Sequence, residues 1–220
     1  FEDCEEVFTW FSESALRPLR FRSGIYGLPE TQDFLMLYYR TDICAELGID
    51  PETDLETWDD IKSILPILQS HSMNFGMPVP AVGAAGGTLN LFATLLYQMG
   101  GELYVPDPDH EYDGIKTNLN QDAALDAFKL WTDFYTVYGV PNAYDFSNWF
   151  RSGEMPIGIA GYSQYNQLSV FAPELEGFWS FAPVPGTVNE DGEVDHTVAG
   201  TVVACVMMST ATNKENTWKF

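Results

Sequence analysis

A layered α/β fold is what this chain predicts, on three observations. Short apolar runs bounded by glycine and proline alternate with helix-period stretches, the pattern of strands packed under helices. Helix starts carry capping residues and helix ends carry glycine. At 220 residues, 45% hydrophobic and 15% aromatic, the chain can fill a sizeable core, as one large domain or two small ones.

The elements follow in order. Residues 2–12 have helical character, with Val7, Phe8, Trp10 and Phe11 crowded on it, and 17–23 read as an exposed basic connection. Residues 24–29 and 34–39 read as two extended segments, the second a central buried strand. Residues 41–48 make a short helix closed by Gly48, and 50–55 a loop. Thr57-Trp-Asp-Asp60 is a capping box with Asp for Glu, opening a helix to about Ser70. A short strand at 75–79 and a loop to Gly87 lead into an apolar helix over 88–99, stopped by Gly100-Gly101. A brief strand is expected at 102–104 and an acidic turn over 105–114. In the helix over 121–138, Ala124, Phe128, Trp131, Tyr135 and Tyr138 recur at steps of 4, 3, 4 and 3, with Asn120 as cap and Gly139 as stop. Asp145 caps a helix through Phe150 that Gly153 ends. Residues 155–160 suit a buried strand, 163–171 a helix, 178–184 a strand, 189–192 a hairpin turn and 197–208 a long strand.

Composition excludes several partners. Asp and Glu number 32 against 10 Lys and Arg, a net charge of -22, so nucleic-acid phosphate and anionic lipid fit poorly. No apolar run approaches the ~20 residues of a membrane span. The start, Phe1-Glu-Asp-Cys-Glu-Glu, is acidic where a secretory signal is basic, and the pattern opens and stops mid-element. The chain is therefore expected to be cropped at both ends. Cys4, Cys44 and Cys205 have no metal-type spacing, and their odd number argues against a full disulfide framework.

The chemistry that a sequence can encode is mostly absent. Counted from Asp107, an EF-hand loop would need Gly and a carboxylate where Tyr112 and Asn118 stand, so the acidic cluster through Asp113 reads as a solvated turn. His71, His110 and His196 form no zinc-type pair. Gly161-Tyr-Ser-Gln-Tyr165 lacks the second glycine of a nucleophile elbow. The glycine-rich stretch 82–88 lacks the Lys and Ser/Thr of a Walker loop. No catalytic residue, metal site or cofactor is predicted. Glu30, Asp33 and Glu154 are carboxylates that suit either glycoside hydrolysis or plain hydrogen bonding to hydroxyls. After Gly161, two tyrosines interleave with a hydroxyl and amides at a strand's carboxyl end, where α/β sheets place ligands. The same residues also suit a strand-to-helix connection with half-buried packing tyrosines.

Five segments resemble one family in order. Tyr26-Gly-Leu-Pro-Glu-Thr-Gln-Asp-Phe-Leu-Met-Leu-Tyr-Tyr-Arg40 is similar to the hinge-crossing segment of sugar-type solute-binding proteins of ABC importers, the maltodextrin-binding-protein-like group. Glu56-Thr-Trp-Asp-Asp-Ile61 resembles its helix start, and Phe150-Arg-Ser-Gly-Glu-Met-Pro-Ile-Gly-Ile-Ala-Gly-Tyr162 its strand motif ending in Gly and an aromatic. Phe181-Ala-Pro-Val-Pro-Gly186 and Val198-Ala-Gly-Thr-Val-Val203 resemble its next two landmarks.

The resemblance implies a type II periplasmic-binding-protein fold, two α/β lobes around a cleft. Residues 1–40 would be part of the amino-terminal lobe and the hinge-crossing segment. Residues 41–208 would be most of the carboxy-terminal lobe, and 209–220 the start of a truncated helix. It also implies ligand contacts. Asp33 matches an acid that hydrogen-bonds sugar hydroxyls, joined by Glu30. Asn90 stands where a ligand-facing aromatic is found, and Tyr162 and Tyr165 supply stacking around Ser163. Gln164 and Thr201 complete a polar lining. The implied function is capture of a polar solute, a sugar or oligosaccharide, for delivery to a membrane permease. The protein would be extracellular, as a cell-surface lipoprotein or a periplasmic protein, and not an enzyme. The rival classes are a carbohydrate hydrolase and a non-transport interaction module.

Overall fold

The computed structural model describes residues 3–22, 24–78, 85–106 and 115–219. The chain divides into two compact units, Phe1–Asp33 with Gly200–Phe220, and Phe34–Ala199. The chain opens with α1 (Cys4–Phe8), α2 (Glu13–Leu16), a 3-10 turn at Arg17–Leu19, β1 (Arg20–Phe21) and β2 (Gly24–Ile25). Strand β3 (Leu28–Arg40) gives 28–33 to the first unit and 34–40 to the second. Then come α3 (Thr41–Leu47), α4 (Trp58–Ser70), β4 (Phe75–Gly76), α5 (Ala85–Gln98), β5 (Tyr104–Pro106) and β6 (Ile115–Thr117). They are followed by α6 (Asp122–Thr136), α7 (Phe146–Ser152), β7 (Ile157–Gly161), α8 (Gln164–Phe171) and β8 (Trp179–Ala182). The hairpin strands β9 (Thr187–Val188) and β10 (Val194–Asp195), then β11 (Gly200–Cys205) and α9 (Lys214–Lys219), complete the order.

In the first unit the expected helix over 2–12 is divided. Thr9 Oγ1 donates to the Glu6 carbonyl at 2.7 Å, and the Ser12 hydroxyl accepts from the Ala15 amide to cap a new helix. Local side-chain bonds of this kind compete with helix continuation. Trp218 Nε1 donates to the Asp3 carboxylate at 2.7 Å and ties α9 to the chain start.

In the second unit β3 is central. It pairs antiparallel with β7 on one side (Leu37↔Ile159, Tyr38↔Gly158) and with β8 on the other (Leu37↔Ala182, Tyr38↔Phe181), while β4 runs parallel to β7. The expected segment 34–39 lies within this 13-residue strand, whereas 24–29 divides between β2 and the first two residues of β3. Pro29, next to its start, does not interrupt it, because proline is tolerated near a strand's beginning.

Alternation along β3 gives the sheet two faces. Leu35 and Leu37 join Ile157 and Ile159 in the larger core with Trp58, Ile61, Leu68, Leu95 and Phe134 from the covering helices. Tyr38 points the other way, into a smaller core with Phe150, Leu168 and Leu175, against which Met36, Ala160 and Trp179 pack. The closeness of β4 and β7 requires glycine: a Cβ on Gly158 would lie 2.6 Å from the Phe146 ring and 2.8 Å from Gly76 Cα.

Caps expected from sequence form on α3, α4 and α7, with Gly48 ending α3 at φ 70°. Thr57 and Asp60 close a reciprocal capping box on α4, and Asp145 accepts from the Asn148 amide at 3.0 Å on α7. Gly153 ends α7 at φ 83°, in the left-handed region that side chains avoid. Helix α6 differs from expectation. Gln121, not Asn120, is its N-cap residue, and the Gln121 amide instead donates to the Glu102 and Asn118 carbonyls. Of the expected face, Ala124 is buried and Trp131, Tyr135 and Tyr138 pack against the larger core, while Phe128 is half exposed against the edge of Trp131; Ala127 and Phe134 are buried besides. A 3.6-residue period lets two adjacent stripes share one broad buried face, and here both meet the core. The pairing of β5 with β6 also emerges only in the structure.

Gln98 is the polar keystone of the larger core. Its side chain is buried, accepts from Trp58 Nε1 at 2.8 Å and from Thr187 Oγ1 at 3.3 Å, and donates to the Pro185 and Thr197 carbonyls at 3.2 Å each. Gln98→Leu keeps the volume and strips partners from buried groups. Each such group costs about 1–3 kcal/mol when left unpaired, so urea unfolding should show a loss of about 2–4 kcal/mol.

Candidate functional site

The carboxyl ends of β4, β7 and β8 meet the start of the 34–40 segment of β3 at one edge of the sheet. Strand β7 is buried over Ile157–Ile159 and emerges at Gly161. The Tyr162 amide donates to the Phe34 carbonyl at 2.8 Å, and the Tyr165 amide donates to the Tyr162 carbonyl at 3.0 Å, closing the turn that opens α8. Beneath it, the buried Tyr38 hydroxyl reaches the Gly161 carbonyl at 3.1 Å and the Tyr162 carbonyl at 3.2 Å.

On this turn stands a cluster of aromatic rings. Phe34 and Tyr162 are stacked at 5.2 Å and 9°, and Tyr162 and Tyr165 at 6.2 Å and 12°. Phe181 meets both tyrosines edge-on, at 6.3 Å and 5.7 Å, and Trp179 meets Tyr165 at 5.6 Å. Tyr162 and Tyr165 are each 40% exposed, so they are packed against neighbours and presented to solvent at once. The rings stand half-exposed on a strand-to-helix connection, which fits both readings that the sequence leaves open. Offset and edge-on contacts of this kind hold a ring's orientation and leave part of its surface free. Beyond Tyr165 the surface continues into a groove of about 470 Å³, with Ser169, Glu176, Trp179 and Phe181 in its walls.

The other sequence-predicted residues fall as follows. Ser163 is the exposed N-cap residue of α8, and the Gln164 amide donates to Ser147 Oγ at 2.7 Å, bracing α8 against α7. Asn90 is half-buried on α5. In the first unit, Thr201 Oγ1 donates to the Asp33 carbonyl at 3.4 Å, and exposed Glu30 receives the Cys205 thiol at 3.8 Å. The structure therefore groups Tyr162, Ser163, Gln164 and Tyr165 in one unit, and Glu30, Asp33 and Thr201 in the other.

Electrostatics serve structure more than reactivity. Buried Arg40 makes a paired contact with Asp42, 2.6 Å at the closer oxygen, and donates to the Phe150 and Arg151 carbonyls at the end of α7. The guanidinium hydrogen bond holds the Asp42 carboxyl below the usual carboxylate range. Burial pushes the Cys44 thiol up to about 12, so it is inert at neutral pH. Among the described residues no three His, Cys, Asp or Glu groups gather to hold a metal ion. The acidic cluster at 107–113 and most of the glycine-rich stretch 82–88 lie outside the described residues. No helix among the described residues is long and apolar enough to cross a membrane.

Comparison with known proteins decides the family. The model of the bacterial extracellular solute-binding protein family matches residues 6–220. The chain belongs to that family. Its fold matches solved type II periplasmic-binding structures. A solute-binding protein of an ABC transporter from Thermotoga lettingae TMO, bound with alpha-D-tagatose, shares 24% identity at a TM-score of 0.70, over 98% of this chain and 55% of that one. Maltose-bound MalE3 of T. maritima shares 20% at 0.73, over 98% and 54%. The galacto-N-biose/lacto-N-biose I-binding protein from Bifidobacterium longum shares 14% at 0.75, over 100% and 52%. This solute-binding protein chain thus spans about half the length of the solved structures it resembles.

Sequence reasoning missed Phe34, Tyr38, Trp179 and Phe181. The signal was available as the two-residue alternation of Phe34, Met36 and Tyr38, and of Trp179 and Phe181, which puts each set on one sheet face.

Two outcomes are expected. Asp42 has a depressed folded-state pKa, so its contribution to stability is present above its unfolded pKa and lost as pH falls through the folded one. Asp42→Asn should lower the melting temperature at pH 7 and shrink its fall on acidification to pH 3. Under native conditions at pH 8, a thiol reagent should label exposed Cys205 and spare Cys44 until denaturant is added.

Proposed function

We propose that this protein captures a sugar or oligosaccharide for an ABC importer and passes it to a membrane permease. It works outside the cell, as a periplasmic or lipid-anchored protein, and leaves its ligand chemically unchanged. The observation that carries this reading is the half-exposed aromatic cluster at the sheet's carboxyl edge, in a chain of the solute-binding family. The flat, weakly polar faces of a pyranose suit such rings, while its rim of hydroxyls needs hydrogen-bonding groups around them. Family members of like fold that carry tagatose, maltose and lacto-N-biose support the choice of ligand class.

In this reading Tyr165 and Tyr162 stack, and Ser163, Gln164 and Asn90 offer hydroxyl and amide groups in the second unit. Glu30, Asp33 and Thr201 offer acceptors and a hydroxyl in the first. The strong negative charge suits a neutral ligand, which it neither attracts nor repels.

The test is a thermal-shift and calorimetric panel of sugars, peptides and polyamines on the full-length protein. A matching sugar at 100 times its Kd should stabilise the fold by about 2.7 kcal/mol, and chromatography should recover it uncleaved. Tyr165→Ala should raise the Kd by about tenfold, the equivalent of about 1.4 kcal/mol of lost ring contact. Binding of peptides or polyamines alone would overturn the sugar assignment.

A further inference from the structure

The geometry points to Tyr38 as the positioning residue of the aromatic cluster: a fully buried phenol that touches no ligand and sets the angle at which Tyr162 and Tyr165 meet one. This deepens the sugar-capture reading and rests on it.

Tyr38 has two attachments to the cluster. Its hydroxyl lies 3.1 Å from the Gly161 carbonyl and 3.2 Å from the Tyr162 carbonyl, and its one proton is shared between the last residue of β7 and the first of the turn. Its ring lies 6.1 Å from Phe181 and 6.0 Å from Trp179, the two rings that meet Tyr165 edge-on. The backbone under Tyr162 and the walls beside Tyr165 are therefore both referred to the same side chain. The remaining side of Tyr38 is held by Phe146 at 6.1 Å, so the ring has packed neighbours on several sides.

A core needs no hydroxyl here. Phenylalanine would fill the same volume, and a buried hydroxyl is costly unless it is hydrogen-bonded. The hydroxyl is spent on the two carbonyls of the turn that carries the exposed rings. Site geometry held by a locked, buried neighbour lowers the ordering cost of binding, and loosening that neighbour weakens binding without removing a contact.

The test measures maltose, D-tagatose and lacto-N-biose binding by calorimetry to full-length wild type, Tyr38→Phe, Tyr162→Ala and the double variant, well below their melting temperatures. Gln98→Leu serves as a destabilised control remote from the turn. Tyr38→Phe is expected to raise the Kd of the bound sugar five- to tenfold and to change the near-ultraviolet circular dichroism of the ring cluster. In the Tyr162→Ala background the same change should cost clearly less than it does alone, because one of its two routes to the ligand, the Tyr162 ring, is gone. Gln98→Leu should lower the melting temperature and leave the Kd unchanged. Tyr38→Met, which loses the ring as well, should bind at least as weakly as Tyr38→Phe. A Kd for Tyr38→Phe within twofold of wild type, while Tyr162→Ala binds poorly, overturns the positioning role and leaves the capture reading standing. Additive losses in the double variant also overturn it. Wild type that binds these three sugars and every other sugar of the panel no better than background overturns the capture reading and this inference together.

Discussion

Strand β3 pairs with two partners over the same residues, and that double pairing governs the second unit. Tyr38 faces Gly158 across one ladder and Phe181 across the other. Because neighbouring side chains alternate between faces, this register sends Leu35 and Leu37 into one core and Met36 and Tyr38 into the other. A slip of one residue would turn both sets over. It would put a phenol among the leucines of the larger core and leave Phe34 without Tyr162 to stack on.

Two buried polar side chains keep the layers on this sheet. Gln98 joins α5 to α4 and to the segments around Pro185 and Thr197. Arg40 joins the end of β3 to the final carbonyls of α7, where a cation also favours the negative end of the helix. Both make several hydrogen bonds in fixed directions, which hydrocarbon contacts do not provide. Apolar packing supplies most of the driving force for folding, and these two groups select one arrangement of the packed helices.

The aromatic cluster depends on the sheet. The short β4–β7 pairing, made possible by Gly76 and Gly158, lets Phe146 lie over the sheet beside Tyr38. Tyr38 then supports the turn, and the turn presents Tyr162 and Tyr165. Each layer restricts the next, so the turn that carries the rings nearest solvent rests on Tyr38, which has no exposure of its own.

Local chemistry was legible in the chain wherever a few neighbouring residues decide the outcome. The capping box at Thr57, the Asp145 cap, the glycine stops at Gly48 and Gly153, and the strand that ends at Gly161 are all of this kind. Tyr162 and Tyr165 were legible for the same reason, as neighbours on one turn. Long-range contact decided the rest. The breadth of the face that α6 buries, the union of residues 28–40 into one strand and the pairing of β5 with β6 all depend on partners far away in sequence. So does the meeting of Phe34, Tyr38, Trp179 and Phe181 around the two tyrosines. Periodicity states which residues share a face, but only the register between strands states which faces meet, and that register is set by the packed whole.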